Sequence, residues 1–183
     1  MDKRSVSAGF TLIELMVVVA LVAILQTLAA PAFSSMVNSM RLSTAVNSLF
    51  SSLLLARSEA IKRNARAVVC KSVTGDACVT SGGWEQGWIV FHDANNNAAV
   101  DAGEVLLLRQ QALPSSIRFT GNAPVASYVS YTPMGTTSYT SGAFQAGTLT
   151  VCGASASAVE ARQIVISSAG RPRTVKTMVQ DCL

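Results

Sequence analysis

Charge is scarce in this sequence. Charged residues make up 13% of its 183 positions, against 50% hydrophobic ones, and the net charge is only +4. That sum is too small to argue by itself for a polyanionic partner. A mean hydropathy of +0.39 is high for a wholly soluble chain and points to apolar content placed in lipid. Histidine occurs once, and the four cysteines, Cys70, Cys78, Cys152 and Cys182, include no CxxC pair, which argues against a zinc site or any other metal centre. A Gly-rich phosphate loop, a nucleophile elbow and a paired-carboxylate motif are all missing, so nothing calls for an enzyme, a cofactor or a small-molecule substrate. The one candidate dyad, His92 beside Asp93, fails on geometry, because neighbours on a strand point to opposite faces. With no internal repeat or long linker, the length fits one domain plus an appendage.

The appendage is at the start. Lys3 and Arg4 precede an apolar stretch over residues 10–33, interrupted by Glu14 and Gln26. As helix it would span about 36 Å, enough for a hydrocarbon core of about 30 Å. The basic residues hold the N-terminus in the cytoplasm and send the rest outward. An even set of cysteines agrees, since disulfides form in an oxidising compartment. Residues Ala30-Pro31-Ala32 also resemble a secretory cleavage site. Glu14 argues against that reading: a carboxylate in an apolar segment costs roughly 2.5–3.5 kcal/mol, and a disposable signal has no use for it.

Beyond Pro31, which implies a kink, Leu42, Val46, Leu49, Leu53, Ala56 and Ala60 recur at helical spacing, so residues 34–66 form an amphipathic continuation of the same helix. Short alternating runs follow at 67–72, 88–92, 104–110, 117–120, 128–132, 148–152 and 163–167, bounded by Gly, Pro, Asn and Ser. The predicted fold is α+β: a long kinked N-terminal helix, transmembrane in its first half, packed on an antiparallel β-sheet head over 67–183. The Gly/Ser/Thr-rich residues 135–147 read as a loop. Charge is unevenly placed, acidic from Asp76 to Glu104 and basic from Arg109 to Lys176. Residues 93–104 carry oxygen side chains at positions 1, 3, 5, 9 and 12 of a calcium-loop spacing, but Ala98 stands where the sharp turn wants glycine, and the plain reading is a hairpin loop. Of three cysteine connectivities, the expected one pairs Cys70 with Cys78 and Cys152 with Cys182.

Gly9-Phe10-Thr11-Leu12-Ile13-Glu14-Leu15-Met16 resembles the processing motif of type IV prepilins and type II secretion pseudopilins. The resemblance implies a leader over 1–9, cleavage by a prepilin peptidase between Gly9 and Phe10, methylation of Phe10, and Glu14 meeting the N-terminal amine of a neighbouring subunit during assembly. Pilins of this kind also carry a proline at the position of Pro31. Ala56-Arg57-Ser58-Glu59-Ala60-Ile61-Lys62-Arg63-Asn64, Trp84 with Gly87-Trp88-Ile89-Val90-Phe91, Leu113-Pro114 and Ser168-Ala169-Gly170-Arg171 are similar to segments of GspH/FimT-like minor pilins and pseudopilins. Gly170-Arg171-Pro172-Arg173 with Lys176 resembles the GRxR element associated in FimT-like pilins with DNA binding. Arg171, Arg173 and Lys176 are the expected DNA-binding residues, contacting the backbone without sequence preference because no nearby aromatic is evident in the sequence. The ordinary alternative is a hairpin turn with solvated arginines. The implied protein is a minor pilin of the inner membrane and pilus, with its head in the periplasm and other pilins, the peptidase and DNA as partners. The alternative is the H-type minor pseudopilin of type II secretion.

Overall fold

The computed structural model describes residues 10–154, 158–180 and 182, without the side chains of residues 28–32. The leader with Gly9, and the Pro31 side chain, lie outside the described residues. The chain divides into two compact units, Met1–Met40 and Arg41–Leu183.

One helix, α1 (Leu12–Arg63), enters both units, and its backbone is helical through Pro31. Its start is a capping box. The Thr11 hydroxyl accepts the Glu14 amide at 3.3 Å, while Glu14 Oε2 accepts both the Thr11 amide and the Thr11 hydroxyl at 2.9 Å. Glu14 therefore has a local task within its own chain. From Leu12 to Leu25 the large apolar side chains are exposed on every side of the helix, the pattern of a segment that buries itself in something other than its own domain. Among the described residues no helix is long and apolar enough to cross a membrane. The described apolar stretch stops at Thr27, just before residues 28–32.

In the second unit, α1 buries Leu42, Ala45, Val46, Leu49, Leu53, Ala56 and Ala60, which contains the whole expected stripe. The strands are β1 (Ala67–Lys71), β2 (Trp88–His92), β3 (Leu106–Gln110), β4 (Ile117–Gly121), β5 (Tyr128–Tyr131), β6 (Gly147–Gly153), β7 (Val159–Ile166) and β8 (Pro172–Val179). They form two antiparallel sheets, ordered β3-β2-β1-β5 and β4-β6-β7-β8, where a single sheet was expected. The α1 stripe shares one core with Val69, Trp88, Val90, Val129 and Tyr131 of the first sheet and Phe119, Leu149, Val151, Ile164 and Ile166 of the second. Two buried indoles are satisfied: Trp88 Nε1 donates to Ser52 Oγ at 2.9 Å and Trp84 Nε1 to the Val125 carbonyl at 3.1 Å.

The outer faces are covered locally. Val68, Cys70, Ile89 and Phe91 lie under Cys78, Ala98 and Val100, and Cys152 and Ala161 pack with Val159, Val179 and Cys182. Both expected disulfides are present, Cys70–Cys78 and Cys152–Cys182. On the chain-entropy account the second, with a sequence separation of 30, removes more freedom from the unfolded chain than the first, with 8.

The eighth strand is the element the sequence pattern hid. It opens on Pro172 and carries Arg173 and Lys176, which read as a turn. Proline and charge are how an edge strand is kept from pairing with other chains, and β8 is an edge.

Candidate nucleic-acid interface

The GRPR turn joins β7 to β8. Ile166 pairs with Pro172, and the Gly170 amide donates to the Ser167 carbonyl at 2.8 Å, closing the loop between them. Gly170 has φ +74°, and a Cβ there would come within 2.0 Å of the Gly135 carbonyl oxygen. Glycine is required on both counts, left-handed backbone and close approach. That same carbonyl accepts Arg57 Nε from α1 at 3.0 Å. Thr137 adds two more ties, its amide donating to the Ser168 carbonyl at 3.2 Å and its hydroxyl to the Ser167 carbonyl at 3.1 Å. The turn is thus clamped on the 132–137 segment, which is itself held on the helix.

From this base Arg171 and Arg173 extend into solvent, and among the described residues neither side chain makes an ion pair or hydrogen bond. Lys176 is also exposed but lies elsewhere. Cross-strand partners share a face, and Thr174 stands opposite the core residue Ile164, so Lys176, opposite Arg162, is on the α1 side of the sheet. Arg173, opposite Val165, is on the other side. Lys176 borders a crevice of about 120 Å³ with Val46, Asn47 and Arg162, and Arg162 Nη2 is 3.9 Å from Glu160 Oε1. The structure therefore groups Arg171 with Arg173 and separates Lys176 from Arg173 by the thickness of the sheet. The cause is the two-residue period, which puts positions three apart on opposite faces.

The other candidates are occupied by structural work. Asp93 accepts the amides of Asn97 and Ala98 at 3.1 and 3.0 Å, and Glu104 those of Ala94 and Asp101 at 2.8 and 3.1 Å. Asn95 and Asn97 both donate to Asp101 Oδ2, at 2.8 and 2.7 Å. The carboxylates close the loop on itself, and among the described residues no group of three His, Cys, Asp or Glu side chains is placed to hold a metal ion. His92 Nδ1 lies 3.2 Å from the Arg66 carbonyl, so that nitrogen is the donor, and Nε2 faces Glu59 Oε2 at 3.8 Å. Glu59 is also bound by Arg63 at 2.8 Å, and this contact leads in holding its carboxyl below the ordinary range, with Lys62 adding to it.

The sequence missed an apolar feature beside the turn. Met134 and Phe144 are 82% and 81% exposed; Met134 belongs to the 132–137 segment, and Phe144 stands opposite Ser138 in the hairpin that follows it. Nothing in a Gly/Ser/Thr-rich stretch marks them, because their position comes from long-range contacts.

Residues 45–170 match the family model described as type II transport protein GspH, and residues 4–29 match the prokaryotic N-terminal methylation motif. This chain belongs to the GspH family. It is a structural subunit of the minor pilin and pseudopilin class, whose members act in type IV pili or type II secretion, and its α+β architecture is theirs. Solved structures agree at the level of the fold. The type IV minor pilin FimU of Pseudomonas aeruginosa is 17% identical with TM-score 0.57, covering 81% of this chain and 99% of that one. The minor pseudopilin EpsH of the Vibrio cholerae type II secretion system is 14% identical with TM-score 0.50, covering 74% and 96%. No curated protein matches in sequence.

Proposed function

We propose that this chain is a minor pilin of a type IV pilus system that binds DNA for uptake, without sequence preference, through Arg171 and Arg173. The observation that carries this reading is the pair of unpaired guanidinium groups on a turn clamped by Gly135, Thr137 and Arg57. A guanidinium fork suits phosphate oxygens, and a rigid base spares part of the ordering cost of binding. Lys176, across the sheet, assists only where the strand wraps the β8 edge. Two phosphate contacts give a salt slope of about −1.8 on duplex DNA, so each head binds weakly and several heads or helper pilins supply avidity. Arg171→Gln with Arg173→Gln is expected to abolish most binding and flatten the salt dependence, with an unchanged melting temperature and intact filaments. Fluorescence anisotropy across a salt series reads this; unaltered affinity in the double variant would return the turn to an ordinary hairpin.

In the same proposal the prepilin peptidase cuts between Gly9 and Phe10, Phe10 is methylated, and residues 10–33 anchor the mature chain in the inner membrane with its head in the periplasm. In lipid the Glu14 carboxylate needs a cation, and the amine of a neighbouring Phe10 supplies one. Mass spectrometry of membrane fractions is expected to find a mature chain starting at N-methylated Phe10. A start just after Ala32 would mean conventional secretion and no anchor.

The second reading, an H-type pseudopilin of type II secretion, is favoured by the description of the family model that covers residues 45–170. Deleting the gene would then stop protein export while leaving DNA uptake unchanged.

A further inference from the structure

We infer that the free edge of β3 takes up an extended strand of a partner polypeptide, one that offers a carboxylate to Arg109 on one face and uncharged side chains on the other. Among the described residues the two sheets have four edge strands, and three of them are guarded. At β5, Gln145 Oε1 accepts the Ser130 amide at 2.9 Å and the Ser138 amide donates to the Ser130 carbonyl at 3.1 Å. At β4, Glu85 Oε2 accepts the Phe119 amide at 3.0 Å, from the short turn Trp84–Gln86 that packs beside the strand. Strand β8 carries Pro172, Arg173 and Lys176. Strand β3 has neither proline nor cover: among the described residues no hydrogen bond reaches its main chain from the side away from β2. Its apolar run, Val105 at 48% exposure followed by the half-buried Leu106, Leu107 and Leu108, is the kind of edge that pairs with another chain.

The register says which groups are free. The Ser72 amide donates to the Gly87 carbonyl at 3.0 Å, so, in steps of two along β2, Ile89 and Phe91 also bond to β1. Trp88 and Val90 therefore bond to Gln110 and Leu108 of β3, and the Arg109 amide and carbonyl between them point away from the sheet. Side chains alternate in the same way. Arg109 stands opposite Ile89 on the outer face, and its guanidinium has no ion pair or hydrogen bond among the described residues. Leu108 and Gln110 stand opposite the core residues Val90 and Trp88 and face α1. There they line a groove of about 620 Å³ with Thr44, Ser48, Ser51 and Leu55, and no side chain lining it is charged.

An added strand presents alternate side chains to these two surfaces. Those over the groove are uncharged, because a charge there would leave water without gaining a counterion. Those on the other face meet Arg109, where a carboxylate across the joint attracts and a second cation repels. The same guanidinium argues against a second copy of β3 as the partner. Antiparallel pairing of this edge with itself brings two Arg109 side chains opposite or diagonal to each other on one face. Leu107 has no partner in β2, and the bulge it makes bends the strand, so the joint is short and centred on Arg109. Main-chain bonds supply its affinity, and Arg109 its choice of partner. Neither Arg171 nor Arg173 takes part, so this contact stands or falls apart from DNA binding.

The test is surface plasmon resonance on the immobilised full-length protein in detergent. The probes are blocked heptapeptides of alternating threonine and glutamate, or of alternating threonine and lysine, at concentrations up to millimolar. The glutamate peptide should bind and the lysine peptide should not. Arg109→Gln should weaken the glutamate peptide about threefold, the worth of one exposed ion pair. Arg109→Pro also removes the outward amide and should abolish binding, with little change in melting temperature because that amide has no partner in the fold. Should Arg109→Pro fail to fold, the glutamate peptide N-methylated at every residue puts the same question to the wild type: it keeps its charge, cannot donate across the joint and should not bind. Equal binding of the methylated and parent peptides, equal binding of the lysine peptide, or no binding of the glutamate peptide overturns the inference. Self-association of the chain that Arg109→Pro abolishes also overturns it, and makes the edge a contact between copies.

Discussion

Gln145→Leu is expected to lower the melting temperature of the head by at least about 8 °C. Gln145 is fully buried, although it sits in a stretch that reads as a polar loop. Its Oε1 accepts the Ser130 amide at 2.9 Å, and its Nε2 donates to the Pro124 and Tyr128 carbonyls at 3.0 and 2.9 Å. The amide thereby serves β5, the edge strand of the first sheet, where Ser138 and Thr137 supply only partial backbone cover. Leucine fills a similar volume but leaves three main-chain groups without partners where water is excluded. At ~1–3 kcal/mol per orphaned group, and after crediting leucine with its own burial, the net loss is about 4–6 kcal/mol. That is a large share of the ~5–15 kcal/mol that holds a domain together. At ~2–4 °C per kcal/mol for a domain of this size, thermal unfolding followed by circular dichroism would resolve it easily. Gln145→Glu should be damaging as well, because it turns a carboxylate toward two carbonyl oxygens. A Gln145→Leu midpoint within a couple of degrees of wild type would mean that water or backbone relaxation rescues all three groups.

Gln145 also marks where the sequence stopped being readable. The α1 stripe was legible because a 3.6-residue period survives in the primary pattern, and Leu42, Val46, Leu49, Leu53, Ala56 and Ala60 are all buried. Strand β2 matched at both ends because Trp88 to His92 is an unbroken run buried on both faces. Strand β8 was not legible, since an edge strand needs only one partner and Pro172, Arg173 and Lys176 look like a turn until β7 is set beside them. The division into two sheets was equally hidden, because alternation reports which residues face inward and not which strands pair. At the candidate site the GRPR motif was visible as a string. Its glycine requirement comes from Gly135 and its ties from Thr137, both far away in sequence, and the split between Arg173 and Lys176 appears only when their partners Val165 and Arg162 on β7 are known. In the Asp/Asn loop, read as a hairpin loop despite its calcium-like spacing, the same oxygens close the loop on its own amides.

The other large effect is expected from Gly170→Val, and it separates scaffold from contact. The atoms a Cβ would meet at Gly170 are the carbonyl oxygen of Gly135 at 2.0 Å and its carbonyl carbon at 3.0 Å, both main chain, so no side chain can swing aside. A β-branched residue at φ +74° adds strain of about 1–2 kcal/mol on its own. The 132–136 turn must then retreat, breaking the Arg57 Nε bond to Gly135, a charged hydrogen bond of roughly 1.5–3 kcal/mol. With the repacking that follows, the total is about 4–5 kcal/mol. Gly135→Ala makes the contrast. Its φ is also positive, but its Cβ would meet the end of the Ile61 side chain at 2.7 Å and Arg57 Nε at 3.1 Å, atoms that can shift, so its cost should be about half. Gly170→Val should therefore lose both stability and DNA binding, while Arg171→Gln with Arg173→Gln loses binding alone at an unchanged melting temperature. That difference assigns the glycine to the clamp and the arginines to the ligand. A Gly170→Val protein that melts like wild type would show that the turn can leave Gly135 without cost, and the rigid base proposed for the two guanidinium groups would go with it.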